Sequence, residues 1–215
     1  MQSFNIYKDI SERTGGDIYI GVVGPVRTGK STFIKRFMDM LVLPNLDDSH
    51  EKERVVDELP QSSAGKTIMT TQPKFVPNEA VKIRINNEAE MNVRMVDSVG
   101  YMVDGAMGYL EDNAPRMVTT PWFDYDIPFE EAAEIGTRKV IADHSTIGIV
   151  MTTDGSITEI PRSSYVQAEE RVIRELWELG KPFIVILNSA TPNNEDTIRL
   201  RSAMEDKYQV PVLLM

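Results

Sequence analysis

The feature that most constrains this chain is the stretch Gly24–Ser31, which reads G-P-V-R-T-G-K-S. A short apolar run, Ile18–Val23, precedes it, and apolar residues with helical spacing follow it from Ser31 to Leu43. A strand, a glycine-bearing loop ending in Lys-Ser, and a helix together predict a phosphate-binding loop. Lys30 is predicted to reach the β- and γ-phosphates, and the Ser31 hydroxyl to ligate Mg²⁺. The residues predicted to surround the nucleotide phosphates are Gly24, Pro25, Val26, Arg27, Thr28, Gly29, Lys30, Ser31 and Thr32.

A second motif follows an apolar stretch farther along the chain, where Asp97-Ser-Val-Gly100 matches D-x-x-G. An aspartate at the end of a buried strand, after a phosphate-binding loop, is typical of a group that holds Mg²⁺ through water. Asp97 is predicted to have this role, and the Gly100 amide is predicted to contact the γ-phosphate. The alternative is that Asp97 only caps the end of a strand.

Between these motifs, two hydroxyl residues precede a strand-like segment in "AGKTIMTTQPKF". Either Thr70 or Thr71 is predicted to sense the γ-phosphate, with Thr70 assigned to Mg²⁺ coordination. The choice between them stays open, as does the alternative that both only begin a strand.

An arginine inside the phosphate-binding loop, Arg27, is a further candidate catalytic residue. A cation between the β- and γ-phosphates would act as an arginine finger supplied by the same chain. The alternative is that Arg27 points to solvent or pairs with an acidic neighbour. Tyr101 stands directly after D-x-x-G, where many related nucleotide hydrolases have glutamine.

The three motifs, in this order, resemble the translation-factor-related class of P-loop GTPases. That class implies N-K-x-D after a later strand, but here the segment is Asn188-Ser-Ala-Thr191. A threonine hydroxyl cannot accept two guanine donors as a carboxylate does, so the reason to prefer GTP is lost. Asn188 and Ser189 are still predicted to contact the nucleotide, and ATP is the predicted substrate.

Composition narrows the remaining possibilities. The formal net charge is −10, and an acidic chain is repelled by the phosphate backbone, so no nucleic-acid partner is expected. There are no cysteines, so disulfides, thiol catalysis and cysteine-ligated zinc are excluded. No run of about 18 apolar residues occurs and the start lacks a signal-peptide core, so a cytosolic chain without a transmembrane segment is expected.

Alternating apolar runs and helical patterns predict an α/β fold, with a mostly parallel central sheet and helices on both faces. We expect one P-loop NTPase domain over residues 1–215, cut from a longer protein, with an ordered insertion at 101–129. The predicted strands are Ile18–Val23, Lys82–Ile85, Met91–Val96, Thr146–Thr153, Phe183–Leu187 and the terminal "VPVLLM"; the predicted helices are Ser31–Leu43, Glu51–Glu58, Glu130–His144, Ser163–Leu179 and Asn194–Tyr208.

Long stretches of the chain resemble the N-terminal ATPase domain of the stage IV sporulation protein A family. They are "KDISERTGGDIYIGVVGPVRTGKSTFIKRFM", "DELPQSSAGKTIMTTQPKFVPN", "AAEIGTRKVIADHSTIGIVMTTDGSI" and "AEERVIRELWELGKPFIVILNS". By position, the resemblance implies Lys30 as the Walker-A residue, Asp97 as the Walker-B residue, and Thr70 and Thr71 as sensor threonines.

The resemblance also implies a function. It implies an ATPase of the mother-cell cytoplasm that coats the forespore surface and couples hydrolysis to self-assembly into the basement layer of the spore coat. Further C-terminal domains, a small amphipathic membrane-adaptor peptide and other spore-coat proteins are the implied partners. A regulatory GTPase and a static nucleotide-binding structural protein remain the alternatives.

Overall fold

The computed structural model describes residues 17–46, 48–60, 72–85, 89–111 and 114–215. Its strands are β1 (Asp17–Val23), β2 (Lys74–Ile85), β3 (Ala89–Asp97), β4 (Leu110–Glu111), β5 (Ala114–Pro115), β6 (Met117–Val118), β7 (Ile127–Pro128), β8 (Ile147–Thr153), β9 (Phe183–Asn188) and β10 (Val212–Leu214). Its α-helices are α1 (Lys30–Phe37), α2 (Ser49–Glu58), α3 (Phe129–Ala142), α4 (Arg162–Glu178) and α5 (Glu195–Tyr208). A π-helical turn, Met38–Val42, continues α1.

Six strands form the central sheet in the order β10-β9-β8-β1-β3-β2. Every neighbouring pair is parallel except β2 and β3, which are antiparallel and lie at one edge. The α/β architecture with a mostly parallel sheet is therefore confirmed.

The sheet is covered on both faces because its strands are apolar on both sides. On one face, Val22 of β1 belongs to a cluster with Ile34 and Met38 of the first helical segment. On the other face, Val23 belongs to a cluster with Val140 of α3 and with residues of α4 and α5. The phosphate-binding loop leaves the sheet from its middle, where β1 lies between β3 and β8.

The segment between β3 and α3 carries two short antiparallel ladders, β4–β5 and β6–β7. It packs through Val118 and Ile127 onto Phe129 and Ala133 of α3. Gly136 permits a close approach there, since a Cβ at this position would lie 3.1 Å from the Trp122 ring and 3.2 Å from Pro73. This contact explains a glycine inside a helix that the sequence already predicted to continue through it.

Among the described residues, no helix is both long enough and apolar enough to cross a membrane.

Candidate functional site

The phosphate-binding loop turns through three left-handed backbone conformations, at Gly24 (φ 136°), Arg27 (φ 62°) and Gly29 (φ 92°). The loop is also joined to the D-x-x-G segment, because the Val26 amide donates to the Tyr101 carbonyl at 2.9 Å. The Tyr101 amide donates in return to the Gly24 carbonyl at 3.3 Å. The two predicted phosphate-contacting segments therefore lie side by side, although most of α1 and β3 and all of α2 and β2 lie between them in the sequence.

Lys30 begins α1, and its side chain is buried beneath the loop. Its Nζ donates to the Pro25 carbonyl at 2.7 Å and reaches the Gly24 carbonyl at 3.5 Å. Burial lowers the pKa of Lys30 to about 8, although the negative charge of Asp97 acts in the opposite direction. Among the described residues, the hydrogen-bond partners of Lys30 Nζ are these two carbonyl oxygens. Phosphate oxygens arriving there would restore the full charge of the ammonium.

This lowered pKa predicts that nucleotide binding depends on pH. Above pH 8 the free protein holds Lys30 increasingly neutral, whereas bound phosphates favour the ammonium, so binding must take up a proton. We expect ADP affinity, measured with a chelator present, to fall by up to about tenfold per pH unit between pH 8 and 10. Calorimetry in buffers of different ionisation enthalpy measures the uptake directly. Lys30→Arg is the control, since its guanidinium does not titrate in this range; equal proton uptake by both proteins would contradict this origin.

Ser31 and Asp97 meet across the same site. The Ser31 hydroxyl donates to Asp97 Oδ2 at 2.6 Å. Burial raises the pKa of Asp97, opposed by this hydrogen bond and by the charges of Lys30 and Lys74. The second carboxylate oxygen, Oδ1, is buried without a hydrogen-bond partner among the described residues.

An unpartnered buried carboxylate oxygen beside a serine hydroxyl suits a hard cation. Mg²⁺ commonly takes one or two protein oxygens, with substrate phosphates and water completing its octahedron. Within the described residues no group of three or more His, Cys, Asp or Glu side chains forms a self-sufficient metal site. Ser31 and Asp97 thus fit a metal that arrives with the nucleotide. Thr70 and Thr71 lie outside the described residues, so their roles stay predictions.

Gly100 lies against the loop and the lysine. With φ at +100°, a Cβ there would come within 2.4 Å of the Gly24 carbonyl oxygen and 2.6 Å of Lys30 Nζ. Its amide donates to the Thr137 hydroxyl of α3 at 3.0 Å, so the predicted contact with a γ-phosphate requires this bond to be exchanged. Thr137 was not found from the sequence, because nothing marks a threonine within a helix as a partner of a distant glycine.

Tyr101 occupies the position at which many related nucleotide hydrolases have glutamine, and its side chain points into the protein. It is buried, and its hydroxyl donates to Glu175 Oε2 of α4 at 2.6 Å. The Arg171 guanidinium lies 4.1 Å from the centre of its ring. Burial, followed by the hydrogen bond to Glu175, raises the pKa of Tyr101 above its usual range. In this arrangement Tyr101 holds the D-x-x-G segment to α4 and does not face an attacking water.

Arg27 borders a cavity formed with the segment 156–161 and with Met107. Its charge acts on Tyr165 of α4. The predicted action of Arg27 on the phosphates stays a prediction, as does the alternative that it points to solvent or pairs with an acidic neighbour.

The region predicted to meet the base lies beside the loop. Asn188, at the end of β9, donates from Nδ2 to the Thr28 carbonyl at 3.1 Å. Ser189 is buried and donates to Asp154, which follows β8. The structure thus joins Asn188 to the phosphate-binding loop, and it joins the adjacent Ser189 to Asp154, a residue that the sequence did not indicate.

A family model and curated relatives both match this chain over all or nearly all of its length. Residues 1–215 match the family model described as stage IV sporulation protein A, ATPase domain. The chain is 60% identical over 215 residues to stage IV sporulation protein A of Bacillus subtilis (strain 168), covering all of this chain and 44% of that protein. It is 62% identical over 211 residues to the protein of the same name from Clostridioides difficile (strain 630), covering 98% of this chain and 43% of the relative. The chain therefore spans less than half the length of these relatives.

Solved structures show a similar fold at low identity. Era in complex with MgGDPNP and part of 16S ribosomal RNA superimposes with a TM-score of 0.52 at 15% identity, covering 93% of this chain and 51% of Era. A variant of Era from Aquifex aeolicus bound to GDP·AlF4⁻ gives a TM-score of 0.50 at 16% identity, with the same coverage of 93% and 51%. These likenesses concern the fold alone.

Proposed function

The chain belongs to the ATPase-domain family of stage IV sporulation protein A, and from that membership we propose that it hydrolyses ATP to drive assembly of the spore-coat basement layer. The proposal has a chemical part, hydrolysis of ATP, and a morphogenetic part, the use of that hydrolysis in self-assembly. Each part has its own supporting observations and its own test.

The observation that carries the chemical part is the joint placement of Lys30, Ser31 and Asp97 around one loop. Water attacks the γ-phosphorus as the bond to the bridging oxygen breaks, yielding ADP, inorganic phosphate and a proton. Lys30 and the loop amides neutralise the charge on the phosphate oxygens. Ser31 and Asp97 would hold Mg²⁺, which supplies charge neutralisation at the β- and γ-phosphates.

ATP is favoured over GTP by the residues at the base end of the site. Thr191 stands where the guanine-reading carboxylate of the GTPase class would stand, and its backbone amide donates to Ser189 Oγ at 3.0 Å. No carboxylate at that position accepts the two ring-edge donors of guanine. Competition at equal concentrations tests the choice: ATP is expected to displace GTP, and the reverse result would favour a regulatory GTPase.

The morphogenetic part rests on the family. We propose that loss of the γ-phosphate releases the switch segments and exposes an assembly surface, as in other nucleotide switches. Assembly would take place in the mother-cell cytoplasm at the forespore surface, in the full-length protein with its C-terminal domains. A small amphipathic membrane-adaptor peptide and other spore-coat proteins are the proposed partners, because an acidic chain needs a bridge to an anionic membrane.

Asp97→Asn in the full-length protein tests the coupling of the two parts. The amide retains an acceptor for Ser31 but removes the charge that would hold Mg²⁺, so turnover is expected to fall by about 10²-fold or more. Assembly, followed by sedimentation and electron microscopy, is expected to stop as well. Asp104→Asn, an exposed carboxylate beyond the D-x-x-G segment, is the control. Intact assembly by Asp97→Asn, with no phosphate released in a single turnover by the unsubstituted protein, would favour a static nucleotide-binding structural protein.

A further inference from the structure

The loops after β8 and β9 meet at one edge of the sheet, beside the phosphate-binding loop. Asp154 directly follows β8, and Ser189 directly follows Asn188, whose side chain holds the Thr28 carbonyl. In open α/β sheets, ligands bind outside the carboxyl ends of the strands. With phosphates at Lys30, Asp154 and Ser189 therefore lie on the side of the site that a nucleotide base would approach.

Asp154 accepts hydrogen bonds from two serine hydroxyls. Ser156 Oγ lies 2.5 Å from its Oδ1, and Ser189 Oγ lies 2.5 Å from its Oδ2. Partial burial acts to raise the pKa of Asp154, but the hydrogen bonds from Ser156 and Ser189 outweigh it and hold the pKa below its usual value. An ionised carboxylate can only accept, so both serine protons are directed at Asp154.

The Asp154 carboxylate has no acceptor position left for a further hydrogen bond. Oδ1 also accepts the Ser156 amide at 2.9 Å, and Oδ2 also lies 3.4 Å from the Thr197 hydroxyl. A carboxylate offers about four acceptor sites, and all are occupied. Asp154 can therefore influence a base only through the two serines, which makes it a positioning residue.

Each serine oxygen retains one acceptor position. A hydroxyl has one proton and two lone pairs. Ser156 Oγ donates to Asp154 and accepts from the Ala190 amide at 2.8 Å. Ser189 Oγ donates to Asp154 and accepts from the Thr191 amide at 3.0 Å. The two oxygens lie 3.5 Å apart. At that distance either hydroxyl could donate to the other, but the shorter bonds of 2.5 Å direct both hydroxyl protons at Asp154. The two oxygens are thereby kept as a pair of acceptors.

We propose that Asp154 determines the base specificity of this site, by fixing Ser156 and Ser189 as acceptors for the 6-amino group of an adenine nucleotide. The inference rests on the nucleotide binding of the proposed function, but on neither hydrolysis nor assembly. An amino group at position 6 of the purine supplies a donor to these oxygens. An oxo group there is itself an acceptor, so it meets lone pairs and is left unpaired.

Calorimetric titration of the chain with ADP and IDP tests this assignment. The two ligands share their phosphates and ribose and differ along one edge of the purine. ADP has a 6-amino donor and an unprotonated N1, whereas IDP has a 6-oxo acceptor and an N1–H. The unsubstituted protein is expected to prefer ADP by about tenfold or more, the cost of one unpaired buried polar group. In Asp154→Asn the amide NH₂ donates to one serine, whose proton must then turn outward, and the preference is expected to vanish.

Matched variants separate this role from a structural one. Asp206→Asn, exposed on α5, makes the same change of charge and is expected to keep the full preference. Ser189→Ala removes one of the two acceptor oxygens and is expected to reduce the preference while Asp154 is in place. A loss of folded protein lowers the amount that binds either ligand and leaves the ratio of the two affinities unchanged.

Two results would overturn the assignment: an unchanged ADP preference in Asp154→Asn, or equal binding of ADP and IDP by the unsubstituted protein. Tighter binding of GDP than of ADP would contradict the proposed ATP specificity together with this inference. A clear, Asp154-dependent ADP preference in a protein that hydrolyses nothing would contradict only the proposed hydrolysis.

Discussion

Replacing Lys30 by methionine is expected to lower nucleotide hydrolysis by about 10²–10³-fold while the chain remains folded. Lys30 is the buried cation of the phosphate-binding loop, held by the Pro25 and Gly24 carbonyls. Methionine has a comparable length and fills the same space, but it offers no charge to the oxygens of the transferred phosphoryl group. Because burial already lowers the pKa of Lys30 to about 8, the free protein loses little by losing the charge.

Release of inorganic phosphate under saturating nucleotide measures the effect, with circular dichroism as the check on folding. Lys35→Met is the matched control, since Lys35 lies exposed on the same helix and its replacement makes the same change of charge. The control is expected to retain its turnover. Turnover by Lys30→Met within a few-fold of the unsubstituted protein would show that the loop does not carry the chemistry.

Glu169→Ala is expected to cost about 3–5 kcal/mol of the free energy of unfolding. Glu169 is fully buried on α4, and Arg162 binds both of its carboxylate oxygens, at 2.5 and 2.7 Å. Thr152 of β8 and Tyr208 of α5 donate to the same carboxylate at 2.5 and 2.6 Å. One side chain thus joins the sheet to two helices, and its removal leaves a largely buried guanidinium without its counter-charge.

Urea denaturation measures this loss, and the next residue along the chain supplies the control. Glu170 pairs with Lys207 on the surface, and such exposed pairs contribute about 0–1 kcal/mol, so Glu170→Ala is expected to be nearly neutral. A double variant, Arg162→Met with Glu169→Met, is expected to be less destabilised than Glu169→Ala, because it leaves no unpaired charge. Equal losses for Glu169→Ala and Glu170→Ala would contradict the structural importance of this network.

Sequence reasoning was most successful where the signal is local. The helix predicted at Ser163–Leu179 is observed at Arg162–Glu178, and the strand predicted at Thr146–Thr153 is observed at Ile147–Thr153. Hydrophobic periodicity shows which face of an element is buried and so identifies its type. It marks the ends less sharply, and the observed bounds differ from the predicted ones by about one residue. The strand predicted at Lys82–Ile85 is the last third of a longer strand, Lys74–Ile85. Its first half contains Pro77, and because proline disfavours a strand, the sequence pattern did not predict that half.

The sequence predicted the site residues that belong to motifs of fixed spacing. It did not predict the contacts between residues that are distant in the chain. The sequence pointed to Tyr101 as a substitution for glutamine, but only the fold shows it bound to Glu175. It likewise marked Ser189 as a departure from lysine without indicating that the Ser189 hydroxyl would donate to Asp154. Whether residues 1–215 form one domain with an insertion at 101–129 stays a prediction.

The sequence by itself determined the strand, loop and helix that place Lys30 and Ser31, because those constraints act between residues close in the chain. It also determined the family and the absence of a guanine-reading aspartate at Thr191. Only the tertiary structure decided that the Gly100 amide donates to the Thr137 hydroxyl and that the Ser189 hydroxyl donates to Asp154. Hydrogen bonds of this kind depend on which elements become neighbours in the sheet and its covering helices, and no local spacing encodes that.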